Sequence, residues 1–422
     1  MSYEELAERF GTPLYVYDLD RVEAARRDLL SALPEPVELF YAVKANPHPQ
    51  VAAALSSGDG RRCRAEISST GELSTALSAG FRAAECLYTG PGKTSVELHD
   101  AIGRGVRLFS VESPGDLRRI GSVACEHGVV VDCLLRINSA TASATTSIRM
   151  TGKPTQFGLD SETLPDVIDQ LRSVPGTRVL GAHFFPLSNA ADEESLVAEF
   201  QGTIAVAARM REELGLDLRM VDIGGGFAAP YAAPGNRPVY GKLAEHLAQA
   251  LDRHLPGWRR GEPLVACESG RHLVGDAGTF LCSVVNVKES RGSTFVIVDA
   301  GINAFGGMSG LGRLLPVAVE VDPKEADGSQ MVAASLVGPL CTPGDLLGRR
   351  VMLPSPAPGD LLTVPNAGAY GLSASLLSFL GRPTPVEVVV RSGRPVSASR
   401  LEHHRSWTQL PAETDRSGAI AR

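Results

Sequence analysis

Eight short runs rich in β-branched and aromatic residues recur from about residue 35 to residue 270, and amphipathic stretches lie between or after them. The runs start at Val37 (VELFYAVKA), Arg64 (RAEIS), Cys86 (CLYTGP), Arg107 (RLFSVES), Val130 (VVDCLLRIN), Val179 (VLGAHFFPL), Met220 (MVDIGGGF) and Pro263 (PLVACESG). The stretches STGELSTALSAGF, SVELHDAIGRGV, LVAEFQGTIAVAARMREELGL and YGKLAEHLAQALDRHL carry apolar residues at helical spacing. Short strands alternating with helices of this length are parallel strands joined by crossover helices. Eight such units predict a (β/α)8 barrel, with an open doubly wound sheet as the weaker alternative.

After about Asp276 the rhythm changes to strand-like runs and turns: GTFLCSVVNVKES, STFVIVDAG, VAASLVGP, DLLTVP and PVEVVVRSG. A second domain of β-structure follows from this, and 422 residues is a length for two domains of this kind. The expected division is a barrel over 31–275, a β-domain over 276–401 and a mobile tail over 402–422 without apolar periodicity. Residues 1–30 contain YVYDLD, a short strand able to pair with the β-domain.

Charge narrows the function classes. Lys and Arg total 41 against 48 Asp and Glu, a net −7, and neither sign forms a long block. Such a surface offers neither a nucleic-acid groove nor a polybasic membrane patch, so a small-molecule partner is expected. No run approaches the roughly 20 apolar residues of a membrane span, and MSYEELAERF is acidic where a secretion signal is basic and then apolar. The expected location is therefore the cytoplasm. Seven cysteines, an odd number, are widely spread with no CxxC pair, which predicts free thiols and neither a disulfide framework nor a structural zinc site.

In a barrel, reactive groups sit at the C-terminal ends of strands, and the unusual polar residues of this chain fall there: Lys44, Glu66, Arg136, His183, the glycines Gly224, Gly225 and Gly226, and Glu268. A lysine ending an apolar run is ordinarily a solvated strand end. At a barrel mouth it is also the side chain able to condense with an aldehyde cofactor. Three consecutive glycines after a strand usually mark a tight turn, but they also let backbone N–H groups approach a phosphate. Glu268, Gly270 and Arg271 add a carboxylate, a further glycine and a guanidinium at the next strand end.

Taken together, these residues resemble a known family. Tyr41-Ala42-Val43-Lys44-Ala45-Asn46 looks like the cofactor-lysine motif of the fold-type III pyridoxal-phosphate decarboxylases, the diaminopimelate and ornithine decarboxylase group with the alanine-racemase-like fold. Similar segments continue in order at Glu66 to Leu73, Thr89 to Lys93, Arg136 to Asn138, Phe157-Gly158, Asp222 to Phe227, Glu268 to Arg271, Gly338 to Cys341 with Asp345, and Asn366 to Tyr370. The resemblance implies pyridoxal 5'-phosphate held on Lys44 as an internal aldimine. Glu268 would hydrogen-bond the pyridine nitrogen and keep the ring a strong electron sink. Glu66, Arg136 and His183 would line the cofactor site. Gly224, Gly225, Gly226, Gly270, Arg271 and Ser188 would receive the phosphate, with Tyr370 nearby. Cys341 would protonate the carbanion left by CO2, since a thiol is mostly protonated at neutral pH yet gives up its proton readily. Asp345 would contact the substrate amine. The segment of Cys341 and Asp345 reaches the other subunit's site in this family, so a homodimer with shared active sites is implied.

Two departures stand out. Relatives commonly present His-x-Gly-Ser at the sixth strand, with the histidine stacked on the cofactor ring; here Phe185 takes that position and Leu187 replaces the glycine before Ser188. A phenyl ring stacks but offers no hydrogen bond. Relatives acting on free diamino acids usually carry Arg-Pro-x-x-Tyr after Asp-Ala-Gly-x-Asn, whereas Asp299 to Asn303 is followed here by AFGGMSGLGRLLP. MTGKPTQFGLD from Met150, GPLCTP and SFLGRPTPVEV instead look like the secondary-metabolism branch, whose substrates include carrier-protein-bound glutamate and citrate-linked diamino acids. Glycine-rich residues 306–312 are either an open mouth for a larger substrate or a plain flexible turn. The expected activity is decarboxylation of an L-amino acid or its conjugate. The alternatives are a racemase or carbon–carbon bond-forming enzyme using the same carbanion, and a non-catalytic cofactor-binding homologue.

Overall fold

The eight apolar runs each form a strand of a closed parallel barrel in the computed structural model, which describes residues 1–58, 60–139, 148–149, 154–305 and 330–408. After β1 (Leu14–Asp18) the barrel strands are β2 (Glu38–Ala42), β3 (Arg64–Ile67), β4 (Leu87–Tyr88), β5 (Leu108–Val111), β6 (Val131–Asn138), β7 (Thr177–Phe184), β8 (Met220–Asp222) and β9 (Leu264–Ser269). Pairing runs β5-β4-β3-β2-β9-β8-β7-β6 and closes through β5 against β6, from Leu108 opposite Asp132 to Val111 opposite Leu135.

Alternation along these strands builds the site. Phe40, Leu87, Leu108, Leu134, Met220 and Ala266 form one buried apolar cluster, separate from the larger core outside the barrel wall. Side chains two positions apart share a strand face. Two residues beyond the plug therefore come Ala42, Ser110, Arg136, Asp222 and Glu268, at the C-terminal mouth. Helices then start promptly on side-chain caps: Ser69, Thr94, Ser113 and Asp192 each accept a first-turn N–H.

The later strands form a second sheet. β10 (Gly278–Ser290), β11 (Ser293–Val298), β12 (Met331–Val337), β13 (Leu346–Pro354), β14 (Leu361–Val364), β15 (Val386–Arg391) and β16 (Arg394–Arg400) take the order β13-β12-β11-β10-β1-β15-β16, with β14 on β10. The N-terminal strand is inserted in its middle, antiparallel to β10 and parallel to β15. Among the described residues all seven cysteines are free, and no helix is long and apolar enough to cross a membrane. The glycine-rich 306–312, Met150 to Lys153 and the tail beyond residue 408 lie outside the described residues.

One buried ion pair braces the mouth. Lys93 Nζ stands 2.7 Å from Asp116 Oδ2, their side chains 1% and 4% exposed, and also donates to the Gly90 carbonyl. The Glu112 N–H donates to the same Asp116 oxygen, and the Glu112 carboxylate holds Arg136 at 2.8 Å. Lys93→Met is expected to destabilise the protein by about 3–5 kcal/mol, because it strands a buried carboxylate. Urea unfolding of the two proteins measures this; a difference below about 1 kcal/mol would show that the pair braces nothing.

Candidate active site

Lys44 leaves the barrel wall on a single 3-10 turn, Val43–Ala45, rather than on the strand itself. The turn is pinned from both sides: the Tyr41 hydroxyl donates to the Asn46 carbonyl at 2.6 Å, and the Tyr370 N–H to the Ala45 carbonyl at 2.7 Å. Lys44 Nζ lies 2.8 Å from Glu66 Oε2 and 5.7 Å from the centre of the Phe185 ring. Thr89 Oγ1 donates to the other Glu66 oxygen. Burial pushes the amine's pKa down, but the carboxylates of Glu66 and Glu268 outweigh it and hold the amine above the ordinary lysine value.

Behind the lysine lies a buried triad. His183 Nε2 stands 3.1 Å from Glu268 Oε1, both side chains 2% exposed, and His183 Nδ1 is 2.6 Å from Ser110 Oγ. Ligating atoms of His183, Asp222 and Glu268 all lie within 4.8 Å of one another. Burial alone would raise the Glu268 carboxyl, but the His183 imidazole and Lys44 draw it below its ordinary value. Burial likewise opposes charge on His183, and Glu268 raises it above the usual histidine range. Asp222, pushed to about 7 by burial and then by Glu268, accepts the Gly224 N–H at 2.9 Å.

The glycine run is required by space as well as by backbone conformation. Gly224 and Gly226 sit at φ +79° and +120°, and a Cβ on Gly225 would come within 2.6 Å of the Glu268 carbonyl oxygen. The Gly226 carbonyl accepts the Ala190 N–H, which ties this loop to the one carrying Ser188. Arg271 is 7% exposed, with its guanidinium carbon 5.0 Å from the centre of the Tyr370 ring.

One cleft is thus lined by Lys44, Phe185, Ser188, Gly225, Gly226, Glu268, Gly270, Arg271 and Tyr370, all expected from sequence. Glu66 and His183 stand behind Lys44 and Glu268, while Gly224 shapes the loop through Asp222. Arg136 is turned onto Glu112 and the Phe157 ring, 4.6 Å from its guanidinium carbon. Cys341 is exposed and does not line this cleft. At Asp345, expected to contact a substrate amine, the Ile302 and Leu340 N–H groups donate to the two carboxylate oxygens at 2.8 and 2.7 Å. It is 3% exposed, and a Cβ on Gly301 would lie 1.9 Å from its Oδ1.

Sequence reading missed Ser110, Glu112 and Asp222 as members of the site. Asp222, a lone acid closing an apolar strand before three glycines, carried a usable signal; Ser110 and Glu112 in RLFSVES carried none.

The donor set suits pyridoxal phosphate part by part. An amine is available for the aldehyde, a buried carboxylate for the ring nitrogen, and a phenyl face for the ring. A side-chain-free turn beside a guanidinium and a hydroxyl is available for the phosphate. Residues 19–275 match the pyridoxal binding domain of the pyridoxal-dependent decarboxylases. The L-glutamyl-[BtrI acyl-carrier protein] decarboxylase of Niallia circulans is 33% identical over 92% of this chain and 91% of its own. The 2-[(L-alanin-3-ylcarbamoyl)methyl]-2-hydroxybutanedioate decarboxylase of Staphylococcus aureus is 28% identical over 88% and 92%. The crystal structure of Helicobacter pylori diaminopimelate decarboxylase complexed with L-lysine superposes with a TM-score of 0.76 at 28% identity, covering 92% of this chain and 94% of that one. Barrel, cleft and relatives agree, and the chain belongs to the pyridoxal-phosphate-dependent decarboxylases with the alanine-racemase-like fold, as a carboxy-lyase.

Proposed function

We propose that the substrate is an L-amino acid conjugated through its distal end, to a carrier protein or to a citrate-like acid, in a secondary-metabolic pathway. The observation that carries this reading is Asp345. It is 3% exposed and each carboxylate oxygen already accepts a main-chain N–H, so little of it is open to a free distal amine. The sequence after Asn303 also lacks the arginine–tyrosine pair that clamps a free distal group. The named activities of the Niallia and Staphylococcus relatives, on a carrier-bound and a conjugated amino acid, support the same choice.

Bound pyridoxal phosphate supplies an aldehyde for the substrate amine and a ring that accepts the electron pair left by CO2. In this reading the chain's own groups do the rest. Lys44 anchors the cofactor and Glu66 Oε2, 2.8 Å away, is placed to take the lysine proton. Glu268 holds a proton at the ring nitrogen, with His183 fixing its orientation. Phe185, which lines the cleft beside Lys44, would pack against the ring and exclude water there. Gly225, Gly226, Gly270, Arg271 and Ser188 hold the phosphate. Cys341 delivers the final proton; because it does not line its own chain's cleft, this role calls for a homodimer with shared sites.

The test is CO2 release from two matched sets: free L-glutamate and L-diamino acids, and the same amino acids as a carrier thioester or a citrate amide. The conjugates are expected to give a kcat/KM about 100-fold higher. Equal or faster release from a free amino acid would overturn the conjugate reading. Exchange of the α-proton without CO2 would replace decarboxylation itself with racemase-type chemistry.

A further inference from the structure

A second cavity, of about 240 Å³, lies where the barrel meets the sheet domain, outside the Lys44 cleft. Its walls include Asn46 to Pro49, directly after the lysine turn, and Gly371 to Ser373, directly after Tyr370. Neighbouring strands supply more of the wall: Tyr17 of β1, Glu387 of β15, and Ser399 and Arg400 of β16.

Glu387 is out of place by the pattern of its own strand. Val388 and Val390 pack with Leu6, Leu14 and Val16 on one face of the sheet, while Val389 joins Tyr15 and Tyr17 in the main core on the other. Glu387 shares that inward face, at 6% exposure. A carboxyl there is costly unless it is paired. The Tyr17 hydroxyl bonds it, and no cation among the described residues stands close enough to offset its burial, which pushes it up to about 7. The neighbouring imidazole, His48, is 8% exposed, lies 3.3 Å from Ser399 Oγ, and is pushed by burial down to about 4, so it stays neutral and does not repel a cation. Among the described residues Tyr15 also feels the Glu387 charge, and Arg400 is exposed at the rim.

We propose that this cavity is a binding site for a small aliphatic primary amine, whose ammonium pairs with Glu387 and whose chain lies against Leu372, Pro47 and Pro49. An ammonium supplies the charge that the carboxylate lacks and has spare donors for the Tyr17 and Ser399 hydroxyls. The apolar wall accommodates the methylenes. The site does not depend on which amino acid is decarboxylated.

The experiment uses holoenzyme reduced with borohydride, which fixes the cofactor on Lys44 and removes that cleft as a competitor. n-Butylamine and 1,4-diaminobutane, with n-butanol as the uncharged control, are titrated by calorimetry at pH 8. Saturable binding of one amine per chain is expected, weakened at least about tenfold by Glu387→Gln. Ser399→Trp, on the exposed edge strand at the mouth, is expected to weaken it as well. Melting temperature and cofactor absorbance report that each variant is folded, and Ser399→Trp decides alone if Glu387→Gln does not fold. The proposal is overturned by the absence of saturable amine binding to reduced holoenzyme, by n-butanol binding as tightly as n-butylamine, or by unchanged binding in either folded variant.

Discussion

Lys44→Ala is expected to abolish the visible absorbance of cofactor bound through its lysine and to lower CO2 release by about three orders of magnitude or more. Among the described residues no second primary amine lines the cleft around Lys44, whose other walls are Phe185, Ser188, glycines, Glu268, Arg271 and Tyr370. Fold stability separates loss of chemistry from loss of structure. Lys44 is paired with Glu66, but its side chain is 39% exposed and Thr89 still donates to Glu66 in the variant, so the expected destabilisation is small. Its pH dependence is also fixed in sign. The lysine pKa is raised in the folded chain, so the pair's contribution is fully present below the ordinary lysine value of about 10.4 and is lost only above it. The stability difference from wild type is therefore expected to stay flat across neutral pH, while activity is lost throughout. Retention of the visible band in Lys44→Ala would overturn the assignment.

The barrel was legible because its strands are buried on both faces and so read as unbroken apolar runs, each punctuated by a loop and a helix. VELFYAVKA shows the limit of that reading. The apolar letters run on through Val43, but the strand stops at Ala42 and Lys44 rides a 3-10 turn held by Tyr41 and Tyr370. Residues with chemistry that depends on type, such as Lys44 and Glu268, stood out at strand ends. Ser110 did not, because its position behind His183 comes from closing β5 against β6 and β6 against β7. Asp345 shows the converse. The family resemblance implied a substrate contact for it, and the main-chain donors of Ile302 and Leu340, with Gly301 packed against it, come from the fold and carry no signal in the sequence. β16 was missed for a simpler reason: RPVSASR lies at the sheet edge with most of its residues exposed, so it carries no apolar signature.

Glu268→Gln is expected to retain cofactor but to lose at least about tenfold in turnover, since the amide cannot hold a ring-nitrogen proton with a full negative charge. A charge-assisted hydrogen bond of ~1.5–3 kcal/mol sets that lower bound. The cost in stability is expected to be smaller than for an isolated buried pair, where removing one partner costs about 3–5 kcal/mol. Asp222 lies within 4.8 Å of both groups, and its carboxyl is pushed up to about 7 partly by the charge on Glu268. Removing that charge lets Asp222 ionise and take over His183. The pH dependence of the remaining cost follows from the two shifts. Glu268 is depressed, so its contribution is full above the ordinary value of 4.5 and fades as pH falls through the lowered one. His183 is raised, so its contribution is full below 6.5 and fades as pH rises through the raised one. Urea unfolding should therefore show the widest gap between wild type and variant between about pH 4.5 and 6.5, narrowing toward alkaline pH. Turnover within threefold of wild type would remove Glu268 from the proposed mechanism; a gap that widens with rising pH would leave the carboxylate its role and remove the His183 imidazolium from behind it.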